Sequence, residues 1–419
     1  MKKVIAPVTI VVLALAACCG LVSCKDGQKA AAPVSATKPT VPAPTKREQL
    51  LKTEFRALYI TSWTAGISRF QTLLDMITRS QLNAMVIDIK DSTGKVGYDS
   101  KVPLVAQTGA YEKRIRDLDG ILKQCRDKKV YTIARIAVFQ DPNLAKARPD
   151  LAVGAGGKAV WKDRKGLAWV DPASKEVWDY NLAIAKEAAV KGFDEVQFDY
   201  VRFPTDGKLK AMTYPVYKRD VPKHEVIRRF FQYVDQQMKP VDVLTSADIF
   251  GLTTMVEDDM NIGQRIEDVA DYVDFVCPMI YPSHYPKGHL GLKKPAEHPY
   301  RIIYDASIRG MHRLEGKRAK MRPWLQDFKL GAAYDKKMIK DQIQAARDAG
   351  VSGFSMWNAR NVYTESAYLE KLPEPNPNPP LKNELLEEIR KRDMAKAGLE
   401  NRSTAIRKSS PTISMSIKK

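Results

Sequence analysis

The chain has 419 residues, of which 44% are hydrophobic and 28% are charged. These proportions are ordinary for a globular protein and exclude a chain that is disordered throughout. The formal net charge is +19, from 68 Lys and Arg against 49 Asp and Glu. The basic residues are spread along the chain without interleaved aromatic residues, so we expect no binding to nucleic acid. Five cysteines are too few for a disulfide scaffold in a chain of this length.

The first 24 residues have the pattern of a lipoprotein signal peptide. Two lysines precede an apolar run over residues 4–17, as in the positive and apolar regions of such a signal. The following L-V-S-C, which ends at Cys24, resembles a bacterial lipobox, whose cysteine becomes the lipidated N-terminus. An earlier run that ends at Cys18 also fits, and an ordinary cleaved signal is the alternative. We therefore expect an exported lipoprotein, anchored to a membrane of the cell envelope through Cys24.

Two segments flank the predicted folded domain, which we place at residues 49–372. Residues 25–48 are rich in Pro, Ala, Thr and Lys, which is typical of a solvated linker. The C-terminal segment, residues 373–419, begins with a proline-rich break. Within it we predict a short charged helix at residues 385–394 and a basic, disordered tail at residues 402–419.

From residue 55 onward, short apolar runs alternate with amphipathic helical patterns. The runs are apolar on both faces, as in a parallel sheet that helices cover. Eight such strand–helix units predict a (β/α)₈ TIM barrel. A doubly wound open sheet is the alternative, and the absence of G-x-G-x-x-G after the first strand disfavours it. The predicted strands are Arg56–Thr61, Ala84–Ile89, Tyr131–Val138, Glu195–Val201, Val243–Ile249, Phe275–Ile280, Arg322–Leu325 and Gly353–Trp357.

Long loops follow the third, fourth and sixth predicted strands, at residues 141–171, 203–222 and 281–298. In a TIM barrel these loops lie at the C-terminal ends of the strands, where active sites are built. We expect them to form the walls of an extended groove rather than of a closed pocket.

Acidic residues recur at the same predicted strand ends. A carboxylate inside an apolar strand costs free energy unless it is paired or solvated, so several at one rim indicate a site. For any single one, a structural salt bridge or a helix N-cap is the alternative. Aromatic and amide side chains share this rim, and the combination suits carbohydrate, whose rings stack on flat side chains. The rim residues are Asp88, Asp91, Asp141, Asp199, Asp248 and Asp327, with Trp63, Tyr281, Tyr285, Trp324, Phe328, Trp357 and Asn358.

Asp199 and Asp248 end two adjacent predicted strands. Glycoside hydrolysis needs a protonated acid on one side of the bond and a nucleophile or base on the other. Neighbouring strands are ~5 Å apart, so these two carboxyl groups could flank one bond. We expect Arg202 to favour the ionised form of Asp199. As an acid, Asp248 would need its pKa raised by burial or by a like charge.

Other chemistries have little support in the sequence. The chain contains no G-x-S-x-G, no H-E-x-x-H and no P-loop. His284 and His289 occupy one loop, and a metal site there is the alternative to solvated histidines. We therefore predict no metal and no cofactor.

The run F-D-E-V-Q-F-D-Y-V-R-F-P at residues 193–204 is followed in order by S-A-D-I-F-G, C-P-M-I-Y-P-S-H-Y and G-F-S-M-W-N. These motifs resemble a bacterial glycoside hydrolase family catalogued as a domain of unknown function, over residues 54–372. The resemblance implies a TIM barrel distantly similar to the α-amylase clan. In amylase-like barrels the nucleophile ends strand four and the acid ends strand five, which implies these roles for Asp199 and Asp248. This sequence departs from that pattern, with Asp instead of Glu on strand five and with Gln197 where those enzymes have arginine.

We therefore predict a hydrolase of an envelope or extracellular polysaccharide, with Asp199 and Asp248 as its catalytic residues. The expected partners are a polysaccharide or oligosaccharide and, through the lipid anchor, a membrane. A carbohydrate-binding barrel without catalysis is the first alternative, and a lyase or metal-dependent hydrolase is the second. The residues expected to bind substrate are Asp88, Asp91, Arg135, Arg202, Tyr281, His284, Trp324, Asp327, Trp357 and Asn358.

Overall fold

The computed structural model describes residues 45–156 and 159–409. The predicted signal peptide with Cys24, most of the predicted linker and the end of the basic tail lie outside these ranges. The strands are β1 (Phe55–Ile60), β2 (Ala84–Lys90), β3 (Tyr131–Ala137), β4 (Glu195–Asp199), β5 (Leu244–Phe250), β6 (Phe275–Met279), β7 (Lys320–Met321), β8 (Trp324–Gln326) and β9 (Gly353–Trp357).

Helices alternate with these strands along the chain. They are α1 (Lys46–Lys52), α2 (Ser62–Ala65), α3 (Arg69–Thr78), α4 (Pro103–Gln107), α5 (Leu118–Asp127), α6 (Pro142–Ala147), α7 (Lys175–Lys191), α8 (Lys223–Met238), α9 (Ile266–Ala270), α10 (Pro299–Arg313), α11 (Lys336–Asp348), α12 (Ser366–Leu369) and α13 (Lys382–Ser409).

The strands form a closed parallel barrel. The order is β5-β4-β3-β2-β1-β9-β8-β6-β7, and the pairing of β5 with β6 closes the sheet. The short strands β7 and β8 are two parts of one barrel position, because both pair with β6. Pro323 lies between them and has no N–H to donate to the ladder. The closure confirms the predicted (β/α)₈ barrel and excludes the doubly wound open sheet.

The predicted strands agree with the observed ones to within two residues at every end. The seventh differs most in form, because the predicted run Arg322–Leu325 spans the gap between β7 and β8. A glycine ends one of the long helices where the backbone conformation requires it. Gly192 follows α7 with φ of 101°, a left-handed conformation that side chains with a Cβ rarely adopt.

Successive side chains along each strand point alternately towards the helices and into the barrel interior. On β4, Val196 and Phe198 belong to the large apolar core between strands and helices. Phe230, on the buried face of α8, packs edge-on against Phe198 with ring centroids 6.1 Å apart. The intervening Glu195, Gln197 and Asp199 are buried and contact polar groups of other strands. The barrel interior is therefore unusually polar.

Helix α1 packs at the N-terminal end of the barrel, although it begins within the predicted linker. Its Leu50 and Leu51 pack against the apolar residues of the barrel interior. Arg47 donates to the carbonyl oxygen of Val243 at 3.3 Å and forms a salt bridge of 2.5 Å with Asp274. The helix therefore covers the end of the barrel opposite to the strand termini that carry the acidic residues.

At the C-terminus, α13 extends from Lys382 to Ser409. The predicted helix was shorter, and the prediction of disorder from residue 402 is wrong for the residues up to 409. Ala, Leu, Glu, Lys and Arg dominate this stretch, and all of them favour helix. Leu385 is buried, and Glu388 pairs with Arg309 of α10 at 2.7 Å.

Both cysteines in the described residues, Cys125 and Cys277, are buried and free. Within the described ranges, no helix is both long enough and apolar enough to cross a membrane.

A buried ion pair crosses the barrel interior. Arg322 donates from Nη1 to Glu195 Oε2 at 2.9 Å, and the hydroxyl of Tyr131 donates to the same oxygen at 3.0 Å. The side chains of Arg322 and Glu195 are both 0% exposed. Removal of one member of such a pair leaves the other charge buried without compensation, which is strongly destabilising.

We therefore expect Arg322→Met to lower the free energy of unfolding by about 3–5 kcal/mol. Equilibrium denaturation in urea measures this change. As a control, Lys337→Met removes a cation from an exposed pair with Asp341 and should cost less than about 1 kcal/mol. Equal stabilities of the two variants would contradict a structural role for the buried pair.

Candidate active site

A guanidinium bound by three carboxylates occupies the C-terminal end of the barrel interior. Arg135, on β3, donates from Nη1 to Asp88 at 2.6 Å and from Nη2 to Asp199. Its Nε donates to Asp248 at 3.3 Å. All four residues are buried. The carboxylates lie near the C-terminal ends of β2, β4 and β5, and the parallel order of these strands brings them together.

The shared guanidinium limits how far apart two of the acids can lie. Asp199 and Asp248 each accept from a different nitrogen of Arg135. Their nearest carboxylate oxygens are therefore within roughly 8 Å of each other, which suits a glycoside hydrolase pair. The structure thus brings the two predicted catalytic residues together.

Asp248 is held in a state that favours its protonated form. Burial raises its pKa well above the usual range, and the negative charge of Asp199 raises it further. Hydrogen bonds from Arg135 and Trp324 oppose this shift in pKa without reversing it. The indole Nε1 of Trp324 donates to Oδ1 of Asp248 at 2.6 Å. A raised pKa is what the role of general acid requires of an aspartate.

Asp199 accepts hydrogen bonds on both carboxylate oxygens. One accepts from Arg135, and the other accepts from the backbone N–H of Tyr200 at 2.6 Å. Tyr200 has φ of 53°, in the left-handed region that is costly for an aromatic residue. Strain of this kind persists only where the surrounding structure enforces it, and here it lies next to a candidate catalytic carboxylate.

Arg202 interacts electrostatically with Asp199 but forms no salt bridge with it. Arg202 donates from Nη1 to the carbonyl oxygen of Phe203 at 3.2 Å, and Arg135 binds Asp199 instead. In the β3–β4 register, Arg135 pairs with Gln197, the residue that stands where amylase-like enzymes have arginine. The guanidinium therefore reaches the carboxylate from the neighbouring strand.

Aromatic rings surround the Arg135 cluster. Trp357, at the end of β9, stacks on Tyr59 of β1 with ring centroids 3.9 Å apart and meets Trp324 edge-on at 5.6 Å. The hydroxyl of Tyr59 donates to Asp88 at 2.5 Å. The predicted site does not include Tyr59, although its alternation with Ala57 and Phe55 on β1 places all three on the barrel-facing side.

A cavity of about 560 Å³ opens above the cluster. The first and third long loops contribute to its wall, as predicted from their positions after strands, whereas no described residue of the second loop, 203–222, lines it. Buried Asp171 joins the first two loops, because it accepts from the backbone N–H groups of Val216 and Tyr217 at 2.7 and 2.9 Å. The lining residues are Arg135, Lys165, Asp199, Tyr200, Arg202, Asp248, Phe250, Gly251, Leu252, Gln264, Met279, Tyr281, His284, Tyr285, Trp324 and Trp357.

Among the residues predicted to bind substrate, Arg202, Tyr281, His284, Trp324 and Trp357 line this cavity together with Arg135. Asp88 is buried beneath the lining, bound to Arg135 and Tyr59, and burial raises its pKa.

Three other predicted residues lie away from the cavity, where each has a partner in a nearby loop. Asp91 accepts from Arg114 at 2.5 Å. Asp327 accepts from the backbone N–H of Thr364 at 2.9 Å, and Asn358 donates to the carbonyl oxygen of Val362 at 2.6 Å.

The histidine loop shows no metal-binding geometry. His284 lines the cavity with Nδ1 3.0 Å from Ser283 Oγ, and burial lowers its pKa, which favours the neutral ring. His289 packs against Tyr285, with ring centroids 4.7 Å apart. Within the described ranges, no cluster of three or more His, Cys, Asp or Glu residues could hold a metal ion.

No pattern in the sequence predicts two further cavity residues, Gln264 and Lys165. Gln264 joins the ends of β4 and β5, because it accepts from Phe250 N at 2.9 Å and donates to Val201 O at 3.2 Å. Lys165 enters the cavity from the middle of the first long loop. Both lie outside the strands, so alternation along a strand could not identify them.

Solved structures share this fold. The glycoside hydrolase domain of PgaB (BpsB) from Bordetella bronchiseptica matches with a TM-score of 0.55 at 12% identity, over 73% of this chain and 94% of that one. Alpha-L-fucosidase isoenzyme 2 from Paenibacillus thiaminolyticus matches with a TM-score of 0.52 at 11% identity, over 76% of this chain and 49% of that one. A hypothetical protein from Ruminiclostridium thermocellum is 41% identical over 46% of this chain and 96% of its own, with a TM-score of 0.42.

The barrel and its carboxylate-lined cavity thus define a chain of the glycoside hydrolase type. The family model described as "putative glycosyl hydrolase domain" matches residues 57–363, and the chain belongs to this family. The comparison with curated proteins gives no match.

The raised pKa of Asp248 leads to a test of the carboxylate pair. Because the charge of Asp199 is one of its causes, Asp199→Asn should let Asp248 lose its proton at a lower pH than in the wild type. Infrared titration of the protonated carboxyl band measures this, with the band assigned by its loss in Asp248→Asn. A midpoint that stays the same or rises in Asp199→Asn would show that the two groups are not coupled.

Proposed function

We propose that this protein hydrolyses a polysaccharide of the cell envelope or its surroundings by a two-carboxylate mechanism. Asp199 acts as nucleophile or base, and Asp248 acts as general acid. The observation that carries this proposal is the binding of both carboxylates to one buried guanidinium, with the pKa of Asp248 raised. The family of the chain supports the reaction type.

The contacts of each acid suit its proposed role. Asp248 donates its proton to the glycosidic oxygen as the bond to the anomeric carbon breaks. Asp199, oriented by Arg135 and by the backbone N–H of Tyr200, either attacks the anomeric carbon or removes a proton from the attacking water. Arg135 is a positioning residue that fixes both carboxylates relative to each other.

The remaining cavity residues suit the binding of sugar rings. Trp357 and Tyr281 offer flat aromatic surfaces, and Trp324 is turned edge-on to Trp357 while it donates to Asp248. His284, as a neutral ring, can donate to or accept from sugar hydroxyl groups.

We also propose that the protein acts at a membrane surface, anchored through lipid on Cys24, with residues 25–48 as its tether. The lipobox-like run L-V-S-C and the proline-rich composition of the linker support this. Palmitate labelling of the full chain should be lost in Cys24→Ser, whereas loss in Cys18→Ser alone would move the anchor to Cys18.

Catalysis is tested with the full chain in detergent, incubated with peptidoglycan, exopolysaccharides and α- and β-glucans. On a polymer that the wild type cleaves, Asp199→Asn and Asp248→Asn should each lower kcat by at least about 10³-fold, because each removes a reacting group. Mass spectrometry of the released oligosaccharides measures the rates.

Asp179→Asn is the matched control, since it makes the same chemical change at an exposed site on α7, and it should keep wild-type rates. Full activity of Asp199→Asn would refute the assignment. Binding without products in the wild type would favour a non-catalytic carbohydrate-binding barrel.

A further inference from the structure

Arg202 contributes a positive charge to the wall of the active-site cavity. Its Nη1 donates to one carbonyl oxygen, its Nε is buried without a hydrogen-bond partner, and it forms no salt bridge with any described residue. Three aromatic rings surround the guanidinium, with centroids 4.6 Å away for Trp169, 5.0 Å for Phe250 and 5.9 Å for Tyr200. Burial among these rings lowers the pKa of Arg202.

This state sets Arg202 apart from the buried arginines of the barrel. Each of those forms a salt bridge with at least one carboxylate, as expected for a cation removed from water. They are Arg114, Arg135, Arg309 and Arg322.

The acidic residues near Arg202 are Asp163, Asp199 and Asp206, and none of them forms a salt bridge with it. Two of them already have other partners. Asp199 is bound by Arg135. Asp163 accepts from the backbone N–H groups of Lys165 and Leu167, each at 2.9 Å, and from the indole of Trp169 at 3.1 Å. Asp163 therefore fixes the ring on which Arg202 stacks instead of neutralising Arg202. A second cation, Lys165, lines the same cavity.

We propose that Arg202 binds an anionic substituent of the glycan, so that the substrate is an acidic polysaccharide bearing carboxylate, sulfate or phosphate groups. This inference rests on the proposed function, because it assigns a substrate class to the same cavity. An oxyanion beside the guanidinium would accept charge-assisted hydrogen bonds, and the aromatic surroundings would strengthen them by excluding water. Such a group would form with Arg202 the salt bridge that the buried arginines form with carboxylates of the protein.

The test compares the binding of matched acidic and neutral oligosaccharides by isothermal titration calorimetry of the full chain in detergent. The pairs are oligogalacturonate with its methyl ester, sulfated with unsulfated galacto-oligosaccharides, and phosphorylated with unphosphorylated malto-oligosaccharides. We expect the wild type to bind the acidic member of at least one pair about 10- to 100-fold more tightly than the neutral member. The preferred pair identifies the anion.

Arg202→Gln should abolish this preference, because the acidic member loses more affinity than the neutral member. Arg202→Lys, which keeps the charge but loses the planar donor fork, should retain part of it. Arg229→Gln on α8 is the matched control, because it removes the same charge from an exposed site and should keep the full preference. Thermal unfolding of each variant verifies that it is folded.

A wild type without preference in any pair, a preference that survives in folded Arg202→Gln, or an equal loss in Arg229→Gln would overturn the inference. The assay requires no turnover, so it separates this inference from the proposed function. Binding of an acidic glycan without cleavage would count against hydrolysis alone, whereas cleavage of glycans without charge preference would count against the role of Arg202 alone.

Discussion

The compensation of buried charge by Arg135 is the constraint on which the rest of the site depends. Three carboxylates on β2, β4 and β5 point into a barrel interior that water does not freely enter, and each of them alone would be costly to bury. A guanidinium offers five donors in a rigid plane, so one side chain can bind all three. The same contacts hold Asp199 and Asp248 close together. The interaction that compensates the buried charges therefore also positions the two proposed catalytic carboxylates.

Much of the fold could be predicted from the sequence, because strands covered by helices are apolar on both faces and stand out as short runs. The interruption of the seventh barrel position at Pro323 and the full length of α13 could not be predicted from such runs. The site was predictable in part. Strand ends identified Asp88, Asp199 and Asp248, but no single-strand pattern shows which neighbouring strand supplies a partner. The β3–β4 register is what shows that Arg135, and not Arg202, binds Asp199.

The same limit explains why some rim acids lie away from the cavity. Asp91 and Asp327 directly follow strands, and Asp248 lies near the end of one, yet Arg114 and the backbone of Thr364 bind the first two. Sequence position distinguishes an acid at a strand end, whereas contacts decide whether it faces substrate or stabilises a loop. Arg202 is the opposite case, because no described carboxylate forms a salt bridge with it. Its proposed partner is an anionic group of the substrate. The charge of Arg202 at the cavity wall thus supports the proposal of an anionic substrate, which the carboxylate pair alone does not indicate.

The most direct test of the central claim is hydrolysis of an envelope polysaccharide by the full chain in water enriched in oxygen-18. Hydrolysis at the anomeric carbon should place one oxygen-18 atom in each new reducing end, as mass spectrometry of the products would show. Unlabelled products that lack the elements of water would instead indicate elimination by a lyase. Those products, or no products from any polymer that the chain binds, would contradict a hydrolase built on Asp199 and Asp248.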